Sequence, residues 1–447
     1  MTAHAGPPLS LGIASAVKNA APSKAARHTC WRLAVDVVGL AVAARHTDYV
    51  AAVVASAAGD GPATAFGHTR RFGLYDAATI NGTAAHGEDF DDTFEGGPVH
   101  AGAVVVPAML ALGEARGLPP EAAARGIAVG AELMCRLSLV APQAIHKAGF
   151  HPTAVLGALA AGAGASAALS LDEKQFAHAL GIAGSLASGI IEYLADGSWT
   201  KRLHAGAAAQ AGLRAALLAE AGFVGPLTVL EGSHGFFRAF APSRMPDFAP
   251  LMEGLGSVWI MEQIAFKPYA CGTMTQPFVD CAVALAETGV AAEEIETLLC
   301  RVGEGTVHRL WEPLALKQAP PNGYAAKFST PYCVAVGFLD KAAGLEQFTD
   351  RRAADPALRG LASKVSYEVD PNDEYPRNFT GTLIATLKDG RVLEFRKGHM
   401  RGGAREPLTD EQLSAKFLAN AAFGGMAADE ARRLEAALLA PLRQAAS

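Results

Sequence analysis

The chain has 447 residues, half of them hydrophobic and only 18% charged, and a formal net charge of −6. That length and apolar content predict two or three domains with a large core, and the lack of a basic block excludes nucleic acid as the expected partner. Six cysteines, at 30, 135, 271, 281, 300 and 333, show no CxxC pairing and read as free thiols of a reducing compartment, neither a disulfide frame nor a zinc site.

The first 26 residues lack an apolar run of signal-peptide length, because Lys18 and Lys24 interrupt them. No bulky apolar run of membrane-spanning length follows, so a soluble cytoplasmic protein without a membrane partner is expected. Helical spacing is then read over residues 26–44, 74–86 and 107–116, and Gly117-Leu118-Pro119-Pro120 breaks the third. Further helices are expected over 122–139, 152–169, 173–186 and 205–221, the third of these capped from within Ser170-Leu171-Asp172-Glu173. Alanine and glycine dominate these segments and favour close helix packing, so a homo-oligomer with such helices at its interface is expected.

The texture changes near Ile264. Val258-Trp259-Ile260 and Ile264-Ala265-Phe266 look strand-like, and strands are read over 295–302 and 364–369. Residues 381–387 and 391–395 form a hairpin pattern around Asp389-Gly390, whose glycine supplies the positive φ the turn requires. Helices are expected at 277–288 and 329–342, and helix returns from about 398, with 409–412 and 429–439. The expected fold class is mainly α with α+β. An all-helical domain is built from 1–265 and 398–447, and an α+β domain from 266–397.

The densest chemistry lies in His86-Gly87-Glu88-Asp89-Phe90-Asp91-Asp92-Thr93 and in His100: five acidic side chains, counting Glu95, and two histidines within fifteen positions. Apolar flanks predict burial, and buried carboxylates are costly unless paired, hydrogen-bonded or protonated. Were the helix to continue, His86, Asp89 and Thr93 would share one face; the bland alternative is a helix end capped by Asp91 or Asp92. Asp89-x-Asp91-x-Thr93 also fits an aspartyl-phosphate motif, but that motif must follow an apolar strand and here follows helix. No second carboxylate cluster completes a coordination sphere, so no metal is expected. His151 precedes a helix with Pro152 at its first turn, where positive dipole ends would face an anion. Lys201 and Arg202 suit a carboxylate clamp, and Lys267 to Gly272 lies at the change in texture.

In series, these segments resemble the MmgE/PrpD family, which includes 2-methylcitrate dehydratase, cis-aconitate decarboxylase and iminodisuccinate epimerase. The resemblance is carried by Asp89-Phe90-Asp91-Asp92-Thr93, His100, Val106-Pro107-Ala108, Gly149-Phe150-His151-Pro152-Thr153, Lys201 to His204, Phe266-Lys267-Pro268-Tyr269 and Ala326-Lys327-Phe328-Ser329. It implies a helical domain with a smaller α+β lid, usually as a homodimer, acting on small di- or tricarboxylates without metal or organic cofactor. It implies catalytic roles for Asp89, His100, His151, Lys201 and Lys267, and places Thr93, Arg202, His204 and Tyr269 at the substrate. Two departures stand out: the Thr93 to His100 spacing is one residue longer than the decarboxylase form, and Gln276-Pro277 stands where a histidine is common. The reaction expected first is dehydration begun by proton abstraction beside a carboxylate. Epimerisation and cis-aconitate-type decarboxylation are the rivals, and a non-catalytic carboxylate-binding protein is the alternative of a different class.

Overall fold

The computed structural model describes residues 6–439. The chain is mainly helical with small mixed sheets and divides into two compact units. The first comprises residues 1–87, 91–264 and 410–447, the second residues 88–90 and 265–409. The chain therefore leaves the first unit at Gly87, contributes Glu88, Asp89 and Phe90 to the second, and re-enters the first at Asp91.

The first unit is built on α1 (Lys24–Ala44), α2 (Leu74–His86), α3 (Gly102–Arg116), α4 (Pro120–Val140), α5 (Pro152–Ala168), α6 (Glu173–Leu186) and α7 (Thr200–Glu220), with a later helix at Asp410–Phe423. Local chemistry sets their starts. Ser23 accepts from the Ala26 amide to cap α1, and Asp172 with Gln175 forms a reciprocal capping box on α6. Helix α3 begins five residues before Pro107 and carries that proline inside, where every neighbour from Gly102 to Met109 is buried. Packing of those small side chains outweighs the one backbone bond a proline forfeits. Helix α7 likewise starts at Thr200, so Lys201 to His204 lie on its first turn and not on a preceding loop.

Glycines set how closely the helices approach. A Cβ on Gly206 of α7 would lie 2.2 Å from the Thr79 carbonyl of α2, and one on Gly82 of α2 would lie 2.7 Å from the Gly206 Cα. A Cβ on Gly212 would meet Ala161 and Gly162 of α5 at about the same range, 2.4 and 2.5 Å. Helices α2, α5 and α7 therefore cross in near backbone contact. The crossing brings together the end of α2 at His86, the start of α5 after His151, and the first turn of α7 at His204.

The second unit holds α8 (Gln276–Glu287), β1 (Ile295–Val302), α9 (Thr330–Asp340), β2 (Val365–Val369), β3 (Gly381–Leu387) and β4 (Val392–Lys397). The sheet order is β2-β1-β3-β4, with β1 and β2 parallel and the other pairs antiparallel. Along β3 the even-spaced Leu383, Ala385 and Leu387 are fully buried while their neighbours are not, the period-2 signature of a sheet with one covered face. The Asp389-Gly390 turn joins β3 to β4, with Gly390 at φ +87°. Val258 and Trp259 are not a strand; a short 3₁₀ helix, Ile260–Gln263, follows them instead, because Glu132 accepts from the Met261 amide and ties that segment to α4. All six cysteines are free and buried. Among the described residues, no single helix is long and apolar enough to cross a membrane.

Candidate active site

In the first unit the crossing of α2, α5 and α7 collects four imidazole rings. His86 lies 5.1 Å from His100 and 5.5 Å from His151 between ring centroids, and His151 lies 5.3 Å from His204. Tyr193 packs edge-on against both His151 and His204. Acidic groups orient one end of this row. The His86 Nδ1 is 2.7 Å from the Asp91 Oδ2, with both side chains fully buried, so the two side chains share one hydrogen bond that orients the ring. The His100 Nδ1 is 2.6 Å from the Asp92 carbonyl oxygen. A carbonyl only accepts, so His100 carries its proton on Nδ1, and its neutral form leaves Nε2 bare. Asp92 also accepts from the Gly102 amide, the first of α3, and so caps that helix.

The other end of the row is a histidine pair, with the His151 Nδ1 3.1 Å from the His204 Nδ1. Burial pushes His151 well below the usual imidazole range, and the neighbouring His86, His204 and His100 push the same way against a smaller opposing effect of Asp91. His204 is pushed down to about 4, first by burial and then by His86 and Lys201. Both rings are therefore neutral at neutral pH. Lys201 and Arg202 share the first turn of α7; the Arg202 guanidinium sits over the Tyr49 ring at 4.4 Å. Thr93 is buried in a two-residue strand, Thr93–Phe94.

His86, Asp91 and His100 bring ligand-type atoms within 4.8 Å of one another. The His86 and His100 Nδ1 atoms bond oxygen acceptors, which orients both rings; a cation taking Nε2 atoms would leave those bonds in place.

In the second unit a different group surrounds Asp89. Helix α2 ends at His86, and Asp89 takes a left-handed backbone with φ +55°. The shared helical face expected for His86, Asp89 and Thr93 therefore does not form. A non-glycine residue in this region is strained, and the unit holds it in place. Lys267, 2% exposed, donates to the Asp89 carbonyl at 2.9 Å. The Tyr324 hydroxyl donates to the Asp89 Oδ2 at 2.7 Å, and Lys327 donates to the Glu88 carbonyl and Oε2 at 2.7 and 2.5 Å. The Tyr269 hydroxyl donates to Asp280 at 2.7 Å. Gln276 donates from Nε2 to the Tyr269 and Cys271 carbonyls, each at 3.3 Å, and so fastens the loop after Lys267.

Tyr324 does not stand out in the sequence, and Glu88 and Lys327 appear there in the acidic stretch and in a resemblance segment without a role. Asn322, which accepts from the Ala325 amide and caps the short helix carrying Tyr324, was the available local signal. The pairing of His86 with Asp91, five residues apart across the end of α2, depends on a chain reversal that no periodicity announces.

Comparison with known proteins agrees with this arrangement of segments. Residues 12–249 match the MmgE/PrpD N-terminal domain and residues 269–440 the MmgE/PrpD C-terminal domain. The chain is 32% identical to a cis-aconitate decarboxylase of Mus musculus over 363 residues, which is 77% of this chain and 71% of the mouse protein. It is 27% identical to a cis-aconitate decarboxylase of Aspergillus terreus, covering 83% and 79% of the two chains. A 2-methylcitrate dehydratase of Cupriavidus necator is 28% identical over 226 residues, 46% of this chain and 45% of that protein. With both domains matched in order along one chain, this protein is a member of the MmgE/PrpD family.

Proposed function

We propose that the chain is a lyase that releases CO₂ from a small unsaturated tricarboxylate of the cis-aconitate type. The observation that carries this reading is the row of four histidines, three of them buried and His100 partly so, in which His151 and His204 are held neutral. Expelling hydroxide in a dehydration calls for an acid already charged or easily charged at working pH. Neutral imidazoles with depressed basicity suit that task poorly, and Gln276 supplies no proton of its own. Decarboxylation asks for something else. Loss of CO₂ leaves an electron pair on carbon, spread through the double bond toward a remaining carboxylate. That carbanion is strongly basic and takes a proton from a weak acid. The coverage and identity to cis-aconitate decarboxylases support the same choice over the dehydration favoured by sequence alone.

In this reading Lys201 binds a substrate carboxylate, and His100 and His151 stand at the reacting carbon. Lys267 and Tyr324 hold the backbone and carboxylate of Asp89. The test is incubation with cis-aconitate in deuterated water, followed by proton NMR and by trapped CO₂. CO₂ release, with new vinylidene protons and one deuterium in the adjacent methylene, supports decarboxylation. Loss of water from 2-methylcitrate without CO₂ from cis-aconitate would replace it by dehydration. Deuterium exchange with the carbon skeleton and every carboxylate intact would replace it by epimerisation.

A further inference from the structure

The contact between His151 and His204 joins two like atoms, Nδ1 to Nδ1 at 3.1 Å. A neutral imidazole has one N–H and one bare nitrogen, so two neutral rings can make this bond only as opposite tautomers. One has its proton on Nδ1 and the other on Nε2. Fixing which ring donates therefore fixes what the far nitrogen of each can do. If His204 donates, His151 carries its remaining proton on Nε2 and is an acid there. If His151 donates, its Nε2 is a bare base.

The rest of the row decides between them on chemical grounds. His100 already presents a bare Nε2, because its Nδ1 proton is held by the Asp92 carbonyl. A reaction that ends by protonating carbon needs an N–H, and His151 can supply one only in the first arrangement. We propose that His204, acting through the Nδ1–Nδ1 hydrogen bond, is the positioning residue that sets His151 as a neutral acid and refills it with a proton as it acts. This rests on the decarboxylase reading above.

The step balances without a charged histidine. As the carbanion takes the proton from the His151 Nε2, the bridging proton passes from the His204 Nδ1 to the His151 Nδ1. The His204 Nε2 takes a proton from water. Three N–H or C–H bonds form, the bonds those protons leave break, and both rings end neutral in exchanged tautomers. The solvent proton gained matches the one that decarboxylation consumes for each CO₂ released. The relay resets after product leaves: the His151 Nε2 takes a proton from water, the bridging proton returns to the His204 Nδ1, and the His204 Nε2 gives its proton back to water. A neutral route is needed because burial and the groups facing the pair disfavour an imidazolium: His86 and His100 on one side and Lys201 on the α7 turn, against the smaller opposing effect of Asp91.

The test combines a spectrum taken without substrate and a kinetic split. Histidine-¹⁵N NMR of the whole protein at pH 7, assigned by the signals lost in His151→Gln and His204→Asn, is expected to show His151 protonated on Nε2 and bare on Nδ1, with His204 protonated on Nδ1. The opposite pattern overturns the proposal, and this arm stands even if cis-aconitate is not the substrate. His204→Asn keeps an N–H donor toward His151 but cannot relay. Its kcat is expected to fall about 10²-fold with KM changed less than about threefold. The wild type is expected to show a kcat that curves with deuterium fraction, as two protons in flight require, and the variant a straight line. Wild-type kcat in His204→Asn overturns the relay, whereas absence of CO₂ release in the wild type overturns only the reading of the reaction.

Discussion

Replacing Lys327 by methionine isolates the energy that holds the Glu88–Phe90 segment in the second unit. The ammonium is 1% exposed as a residue and donates twice to Glu88, at the carbonyl and at Oε2. The Glu88 side chain is 16% exposed. Methionine fills nearly the same volume, so the packing change costs less than about 1.5 kcal/mol. The larger effect is the carboxylate left behind. Removing one member of a buried ion pair costs about 3–5 kcal/mol, and the residual solvent at Glu88 places this case at the low end, about 3 kcal/mol. Glu88→Gln should cost a similar amount, because it strands a buried ammonium. The double variant carries neither charge and should lose only about 1 kcal/mol, so the two singles are strongly non-additive, with a coupling of at least about 2 kcal/mol. The assay is urea unfolding followed by ¹⁹F NMR of protein labelled with fluorotryptophan. Trp311 is the one tryptophan of four within the second unit, so its resonance reports that unit alone. Additive single losses, or a loss below about 0.5 kcal/mol for Lys327→Met, would refute the reasoning.

Three further outcomes are expected. His100→Ala should fold as the wild type does and lose about 10²-fold in CO₂ release, measured beside its circular dichroism; unchanged turnover removes His100 from the chemistry. Gly206→Ala forces a methyl to within 2.2 Å of the Thr79 carbonyl, whereas the Gly113 position on α3 meets nothing nearer than 3.9 Å. Thermal unfolding should show the first destabilised by about 1–3 kcal/mol and the second, as alanine, stabilised by about 0.5–1 kcal/mol. Stability should also fall in mild acid. Burial holds His204 at about 4 in the folded chain against the ordinary imidazole value of 6.5, so its contribution is full above pH 6.5 and is lost as the pH drops toward 4. Between pH 6.5 and 5 that amounts to about 2 kcal/mol at most for this ring, with His151 adding in the same direction. Denaturant midpoints that are level across this window would contradict the neutral pair.

The helical unit was largely legible because its signals are local. Residues 74–86 and 173–186 match their helices to the residue, and the Asp389-Gly390 hairpin falls where a positive-φ turn was required. Errors came where tertiary packing overrides a local rule: the proline inside α3, the early start of α7, and the 3₁₀ turn at Ile260. The histidines were legible as residues and not as an arrangement. His151 and His204 are 53 positions apart, and only the glycine-mediated crossing of α5 with α7 makes them hydrogen-bonded partners. The group around Asp89 was less legible still, because Tyr324 reaches it across 235 positions from a short helix with no distinctive composition.

The same burial that makes His151 and His204 useful makes them costly in acid, and this separates function from stability at one residue. Close packing of small side chains removes water from both rings, which lowers their basicity and keeps the bridging proton between neutral partners. Acid must then either charge a desolvated ring or unfold the unit. Asparagine at position 204 has no basic nitrogen, yet its amide can still donate to the His151 Nδ1. His204→Asn should therefore be about as stable as the wild type at pH 7 and more stable at pH 5, by up to about 2 kcal/mol, while losing turnover. If packing alone explained the conformation of this pair, the variant would be destabilised equally at both pH values, since a lost contact does not depend on protons. Denaturant unfolding of the two proteins at pH 7 and pH 5 distinguishes these cases: a difference between them that grows with acidity identifies the buried neutral pair as the origin, and a constant difference rejects it.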